Sequence, residues 1–121
     1  MTKDEILAMK PGRELDTLVA EKIFGLEYME CIGCYIDSNG DEQKIQRHST
    51  DIETAWEVIE KIIANKLEPM LSFQNGLWCM AILNARYNDP FIDLAQCKTA
   101  PEAICKAALV AVSKVGDVDG L

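Results

Sequence analysis

The segment Leu77-Trp78-Cys79-Met80-Ala81-Ile82-Leu83 contains no polar side chain. It follows Asn75-Gly76, a pair suited to the positive φ angles of a two-residue hairpin turn, so it reads as one arm of a hairpin whose other arm is Met70 to Gln74. Successive side chains of a strand point to opposite faces, and an arm apolar at every position asks for cover on both. In a chain of 121 residues that cover is helical. The expected fold is therefore α+β, an α/β/α sandwich with a largely antiparallel sheet of about five strands covered by helices on both faces. At 49% hydrophobic content the chain supports one core, so residues 1–121 read as a single domain with a loose tail at 117–121.

The covering helices have their own signatures. In residues 48–63, Ile52, Ala55, Trp56, Ile59, Ile62 and Ile63 recur at helical spacing, while Glu53, Glu57, Glu60 and Lys61 fall opposite. This spacing predicts that Trp56 is buried against the sheet and that Thr50 and Glu53 form the capping box that starts the helix. Thr2 with Glu5 and Thr99 with Glu102 repeat that box. A helix over about 11–24 begins at Pro11, buries Leu15, Leu18, Val19 and Ile23, and stops at Gly25. A last helix carries Ile104, Cys105, Ala108, Val112 and Val115 on one face and ends at Gly116. Residues 27–37 and 43–48 read as strands joined at Asn39-Gly40, and Phe91 to Cys97 reads as a final strand after a turn at Tyr87-Asn88-Asp89-Pro90.

Composition removes several classes of function. The net charge of -8, from 20 acidic and 12 basic residues, repels phosphate backbones, and no nucleic-acid partner is expected. There is no signal-peptide pattern and no apolar run approaching the roughly 20 residues that span a bilayer, so a cytoplasmic protein without membrane contact is expected. Five cysteines fit reduced thiols. Cys31-Ile-Gly-Cys34 lacks the second pair that a structural zinc site needs, and in a strand it lacks the helix N-terminus that favours a redox thiolate. No metal and no cofactor are expected. The single histidine, His48, follows no nucleophile motif and reads as a solvated edge residue; Asp16 with Glu21 and Glu53 with Glu57 read as solubilising pairs on exposed helix faces. The chain is read as a non-enzyme.

Binding chemistry is easier to place. Arg47, Ser49 and Thr50 immediately precede a helix N-terminus, whose free N–H groups and partial positive charge favour an anion. Arg13 stands in the first turn of another helix, close enough to serve the same end or to form an ion pair with a neighbouring Glu or Asp. Tyr28 and Tyr35 lie in strand segments from which a ring stacks on a base, whereas Phe73 and Trp78 read as core. The candidate ligand-binding residues are thus Arg13, Tyr28, Tyr35, Arg47, Ser49 and Thr50.

Three ordered segments also carry a resemblance: Lys10-Pro11-Gly12-Arg13-Glu14-Leu15-Asp16 with Val19-Ala20-Glu21-Lys22, Ser49-Thr50-Asp51-Ile52 with Ala55-Trp56-Glu57-Val58, and Thr99-Ala100-Pro101-Glu102-Ala103-Ile104-Cys105 with Ala107-Ala108-Leu109. Together they resemble the small phage and prophage proteins of the phage ABA sandwich domain family. The resemblance implies alpha/beta/alpha layering and a protein made in an infected bacterial cell, and it implies no reaction. The functional expectation is a phage accessory protein without catalytic machinery, an oligomeric small-ligand-binding module that sequesters a nucleotide-derived host immune signal. The alternative is an acidic accessory or inhibitor protein that acts by protein contact.

Overall fold

The structure, a computed structural model, describes residues 2–84 and 91–119. Its elements in chain order are α1 (Lys3–Ala8), α2 (Arg13–Lys22), β1 (Glu27–Met29), β2 (Cys34–Ile36), β3 (Glu42–Gln43), α3 (Ile52–Ala64), β4 (Glu68–Gln74), β5 (Leu77–Asn84), β6 (Phe91–Cys97) and α4 (Ala100–Asp119). The expected sheet of about five strands is instead two antiparallel sheets of three, ordered β1-β2-β3 and β4-β5-β6. The expected strand over 27–37 is interrupted at Gly33, whose φ of 70° turns the chain back so that Tyr28 pairs with Tyr35. Its expected partner over 43–48 pairs only through Glu42 and Gln43. The turn between them is held by Asp37, whose Oδ1 accepts from the N–H groups of Asn39 at 2.9 Å and Asp41 at 3.0 Å. The turn expected at residues 87–90 lies outside the described residues.

The large sheet follows the alternation of its sequence. Asn75 and Gly76, at φ 54° and 79°, close the β4–β5 hairpin as their sequence predicts. Leu71, Met80 and Ala95 stand side by side across the three strands, and Met80, Ile82, Ala95 and Cys97 are buried. On the other face Met70, Ala81 and Leu94 stand side by side, and Met70 and Leu94 are exposed. Helices on both faces of the sheet are therefore not what the described residues form: the helices gather on the Met80 face.

The apolar character that calls for that second layer is used by α4. From Ala103 to Ala111 every residue of this helix is buried, which requires neighbours all round, and α4 packs against α1, α2, α3, β5 and β6. Small residues make this possible: Ala103, Ala107, Ala108 and Ala111 let backbones approach closely around Ile104 and Leu109. Its one cation in this stretch, Lys106, is buried, and its Nζ donates to Glu102 Oε2 at 2.6 Å and to Leu7 O at 2.9 Å, tying α1 to α4. The helix continues past Gly116 to Asp119, beyond the stop that the glycine suggests and into the stretch expected as a tail; residues 120–121 lie outside the described residues.

The central helix α3 is turned relative to expectation. Ala55, Val58, Ile59 and Ile62 are buried, whereas Ile52, Trp56 and Ile63 are half-exposed, Trp56 at 53%. The apolar residues from Val58 round to Trp56 span about 160° of the helix circumference. Packing against α4 and β4 covers one part of that arc and leaves the Trp56 side in water. Its start is set by Asp51, whose side chain accepts from Glu53 N–H at 3.0 Å, in place of the expected Thr50 box. The Thr2 and Glu5 capping box at α1 forms as expected.

The helix expected over 11–24 begins at Arg13, after Gly12 and with Pro11 outside it, and Gly25 at φ 71° ends it by letting Leu26 N–H reach Ala20 O at 3.0 Å. Asp16 does not stand on an exposed face. It is buried, and its Oδ1 accepts from Ser49 N–H at 2.7 Å and from Ser49 Oγ at 2.6 Å. Gly12 N–H donates in turn to Ser49 Oγ at 2.9 Å. This latch joins the first turn of α2 to the chain entering α3, across 33 residues of sequence.

Two stability predictions follow from these contacts. Ile62→Ala should cost about 2–5 kcal/mol and Trp56→Ala about 1 kcal/mol or less, so urea midpoints should separate the two variants clearly. Equal losses would mean that α3 faces the other way. Asp16→Ala strands the buried N–H of Ser49 and leaves its hydroxyl only the Gly12 carbonyl at 3.3 Å, and urea unfolding should register a loss of about 1–3 kcal/mol; a loss below about 0.5 kcal/mol would show that the latch is not formed in solution.

Candidate functional site

The chain between the small sheet and α3 forms a wall. Residues 44–48 alternate in direction, so Ile45 and Arg47 line a cleft on one side, while Lys44, Gln46 and His48 line a cleft on the other. The latch fixes one end of this wall, because Ser49 is fully buried directly after His48.

The first cleft has a volume of about 470 Å³ and is lined by Gly12, Arg13, Asp16, Ile45, Arg47 and Thr50. Three of the six expected ligand-binding residues therefore meet here: Arg13, Arg47 and Thr50. Arg13 comes from the first turn of α2, and Gly12 before it has no side chain with which to cap the helix. The first-turn N–H groups of a helix have no intrahelical acceptors, and the helix dipole adds partial positive charge at the same place. Asp16 contributes a negative charge to the floor, but its Oδ1 is occupied by Ser49. Two guanidinium groups against one bonded carboxylate leave the cleft positive in a chain of net charge -8. Its chemistry suits a small anion held by bidentate, charge-assisted hydrogen bonds.

The other three candidates are placed elsewhere. Ser49 lies beneath the cleft with its hydroxyl engaged by Asp16 and Gly12. Tyr28 and Tyr35 form a cross-strand pair on the small sheet, their ring centroids 5.1 Å apart and tilted by 54°, and neither lines this cleft. Phe73 and Trp78 form a second tilted pair at 5.1 Å; Trp78 packs on the core, while Phe73, expected there too, is exposed.

Sequence inspection misses the second cleft entirely. His48 is 3% exposed, not a solvated edge residue. Its ring stacks on Phe24 with centroids 4.9 Å apart and planes 14° from parallel, and its Nδ1 lies 2.9 Å from Thr54 O. A carbonyl only accepts, so Nδ1 is the protonated nitrogen. The cleft beside it measures about 420 Å³ and is lined by Ala20, Phe24, Leu26, Asp37, Gln43, Lys44, Gln46, His48 and Glu57. Asp37 is engaged there by the Gln43 amide at 2.9 Å, and that bond, with those from the turn backbone, lowers its pKa from the ordinary value.

Cys34, Cys97 and Cys105 are shifted away from the thiolate. Cys31 lies in the turn between β1 and β2, not in the expected strand, and Cys34 opens β2. Desolvation, then Glu42 and Cys31, raise the Cys34 pKa, which disfavours its thiolate. Burial pushes Cys97 up to about 11, with Glu102 adding to the effect. Among the described residues no three His, Cys, Asp or Glu side chains converge to hold a metal ion, and no helix is long and apolar enough to cross a membrane.

No curated protein matches the chain. A crystal structure of a phage protein from Bacillus cereus ATCC 14579 is 29% identical in sequence, with a TM-score of 0.68 over 86% of this chain and 93% of that one. The family model for the phage ABA sandwich domain matches residues 17–109, from within α2 into α4, a span that contains Ser49, Arg47 and Thr50 and begins just after Gly12, Arg13 and Asp16. With that match over most of its length, the chain belongs to the phage ABA sandwich domain family.

Proposed function

We propose that this phage-family protein is a non-catalytic accessory protein that binds a small nucleotide-like anion in the Arg13, Arg47 and Thr50 cleft and thereby sequesters a nucleotide-derived signal of host defence. The observation that carries this reading is the convergence of two guanidinium groups, from segments far apart in sequence, on an uncapped helix N-terminus. An acidic protein gains nothing from diffuse attraction of an anion, so its affinity must come from local, oriented donors. The latch supplies the orientation, since it holds both segments that bear the arginines.

Self-association is part of the proposal. The open face of the large sheet presents Met70, Ser72, Cys79, Ala81, Leu94 and Gln96 side by side without a charge. Two chains of charge -8 can meet over these residues, with the exposed Glu68 of the same face at the end of β4 left at the rim.

A second reading has its own support. Ile52, Trp56 and Ile63 form an exposed apolar ridge along α3, flanked by Glu53, Glu57 and Glu60. An apolar ridge with an acidic border suits a basic, partly apolar surface on another protein, as an accessory or inhibitor would need.

Thermal melting with cyclic dinucleotides, cyclic trinucleotides and ADP-ribose derivatives tests the first reading. A ligand at a hundredfold excess over its Kd should stabilise the fold by about 2.7 kcal/mol and raise Tm by about 10 °C, and Arg13→Ala with Arg47→Ala should abolish the shift. No shift with any nucleotide would favour the protein-contact reading, and a shift that survives the double substitution would relocate the site. Light scattering at high micromolar concentration should report a dimer; a monomeric mass would remove self-association from the proposal.

A further inference from the structure

His48 holds a polar atom that the fold leaves unused. Its Nδ1–H is given to Thr54 O, one ring face rests on Phe24, and Nε2 has no partner among the described residues although the side chain is 3% exposed. With Nδ1 protonated, the neutral imidazole presents Nε2 as an acceptor. A buried acceptor without a donor is costly, and the space His48 lines is the second cleft, on the far side of the wall from Arg13 and Arg47.

The surroundings narrow what can fill it. Ala20, Phe24 and Leu26 give an apolar wall, with Phe24 and the imidazole in a nearly parallel aromatic stack. Asp37 and Gln43 are bonded to each other and shape the rim. Glu57, Gln46 and Lys44 complete it. Two carboxylates against one ammonium give this cleft a formal charge of -1, so an anionic group is disfavoured where the first cleft favours one. A divalent cation is disfavoured too, since no three of its possible ligands converge among the described residues. A volume of about 420 Å³ falls within the range of small-molecule sites.

We infer that the His48 cleft binds an uncharged, flat nitrogen heterocycle bearing an N–H donor, of the size of an aminopurine nucleoside, with that N–H donating to His48 Nε2 and the ring lying against the Phe24 and Leu26 wall. The inference goes beyond the anion-binding reading, because it concerns a different cleft and needs no phosphate.

The chain has one histidine, so its two ring nitrogens give an unambiguous pair of NMR signals. In mildly alkaline buffer the free protein should show Nδ1 protonated and Nε2 bare. Titrated adenosine should move the Nε2 signal saturably, and purine riboside, which has the same ring without the amino group, should bind about tenfold more weakly. His48→Asn keeps a donor near the Nδ1 position and removes Nε2; if it folds, it should lose the preference for adenosine. The wild-type comparison stands without that variant. A proton on Nε2, no saturable change with adenosine in the millimolar range, or equal binding of the two nucleosides would each overturn the inference. A short oligoadenylate that bound more tightly than adenosine would also overturn it, by assigning the cleft to nucleic acid. Adenosine carries no charge for Arg13 and Arg47 to hold, so failure here leaves the anion-binding reading standing, and failure there leaves this one.

Discussion

The carboxylate of Asp16, buried and accepting two hydrogen bonds from Ser49, is the contact on which both clefts depend. It brings the first turn of α2 against the chain that enters α3, and Gly12 completes the junction through the same hydroxyl. A buried carboxylate needs hydrogen-bond donors, and here both come to Oδ1 from one residue, the backbone N–H and the side chain of Ser49. The preceding residues then have little freedom. His48 is pressed between Phe24 and Thr54, and residues 44–47 run outward to the small sheet with their side chains alternating between the two clefts. One hydrogen-bonded junction thus sets the boundary between a positively charged cleft and a weakly negative one.

Behind that boundary the fold is arranged around α4. A helix buried on every side normally belongs to a larger protein, yet 121 residues manage it because small side chains let the sheet and three helices close on one axis. The cost is that the helices are gathered on one side. The second face of β4, β5 and β6 keeps an apolar row without helical cover among the described residues, and α3 keeps an apolar ridge. Those two exposed surfaces are open to contact with other molecules, and the clefts lie along residues 44–50, with Glu57 lining the second cleft beside the α3 ridge.

Much of the fold was legible because its signals are local. The Asn75 and Gly76 hairpin, the strand over 91–97, the capping box at Thr2 and the stop at Gly25 each depend on a few adjacent residues. The layering was not legible in the same way. An apolar run over 77–83 is equally suited to cover on both faces and to a face left open, and periodicity cannot tell which. The facing of α3 failed for a similar reason: its apolar arc is wider than its neighbours cover, and the sequence does not say which edge is left out.

The site was half legible. Arg13, Arg47 and Thr50 are candidates because helix starts announce themselves, and the structure brings them to one cleft. Asp16 reads as a surface acid, although it sits in step with Leu15, Val19, Ala20 and Ile23, where an acid within an apolar stripe signals a buried partner. His48 had no such signal, because its stacking on Phe24 joins segments 24 residues apart and only the fold reveals it. The most direct measurement on the latch is amide hydrogen exchange at Ser49. Its N–H, held at 2.7 Å by a buried carboxylate, should exchange as slowly as the amides of α4, while the exposed neighbours at Lys44 and Gln46 exchange quickly. Exchange of Ser49 at the rate of those neighbours would mean that the latch does not hold and that the two clefts have no fixed wall between them.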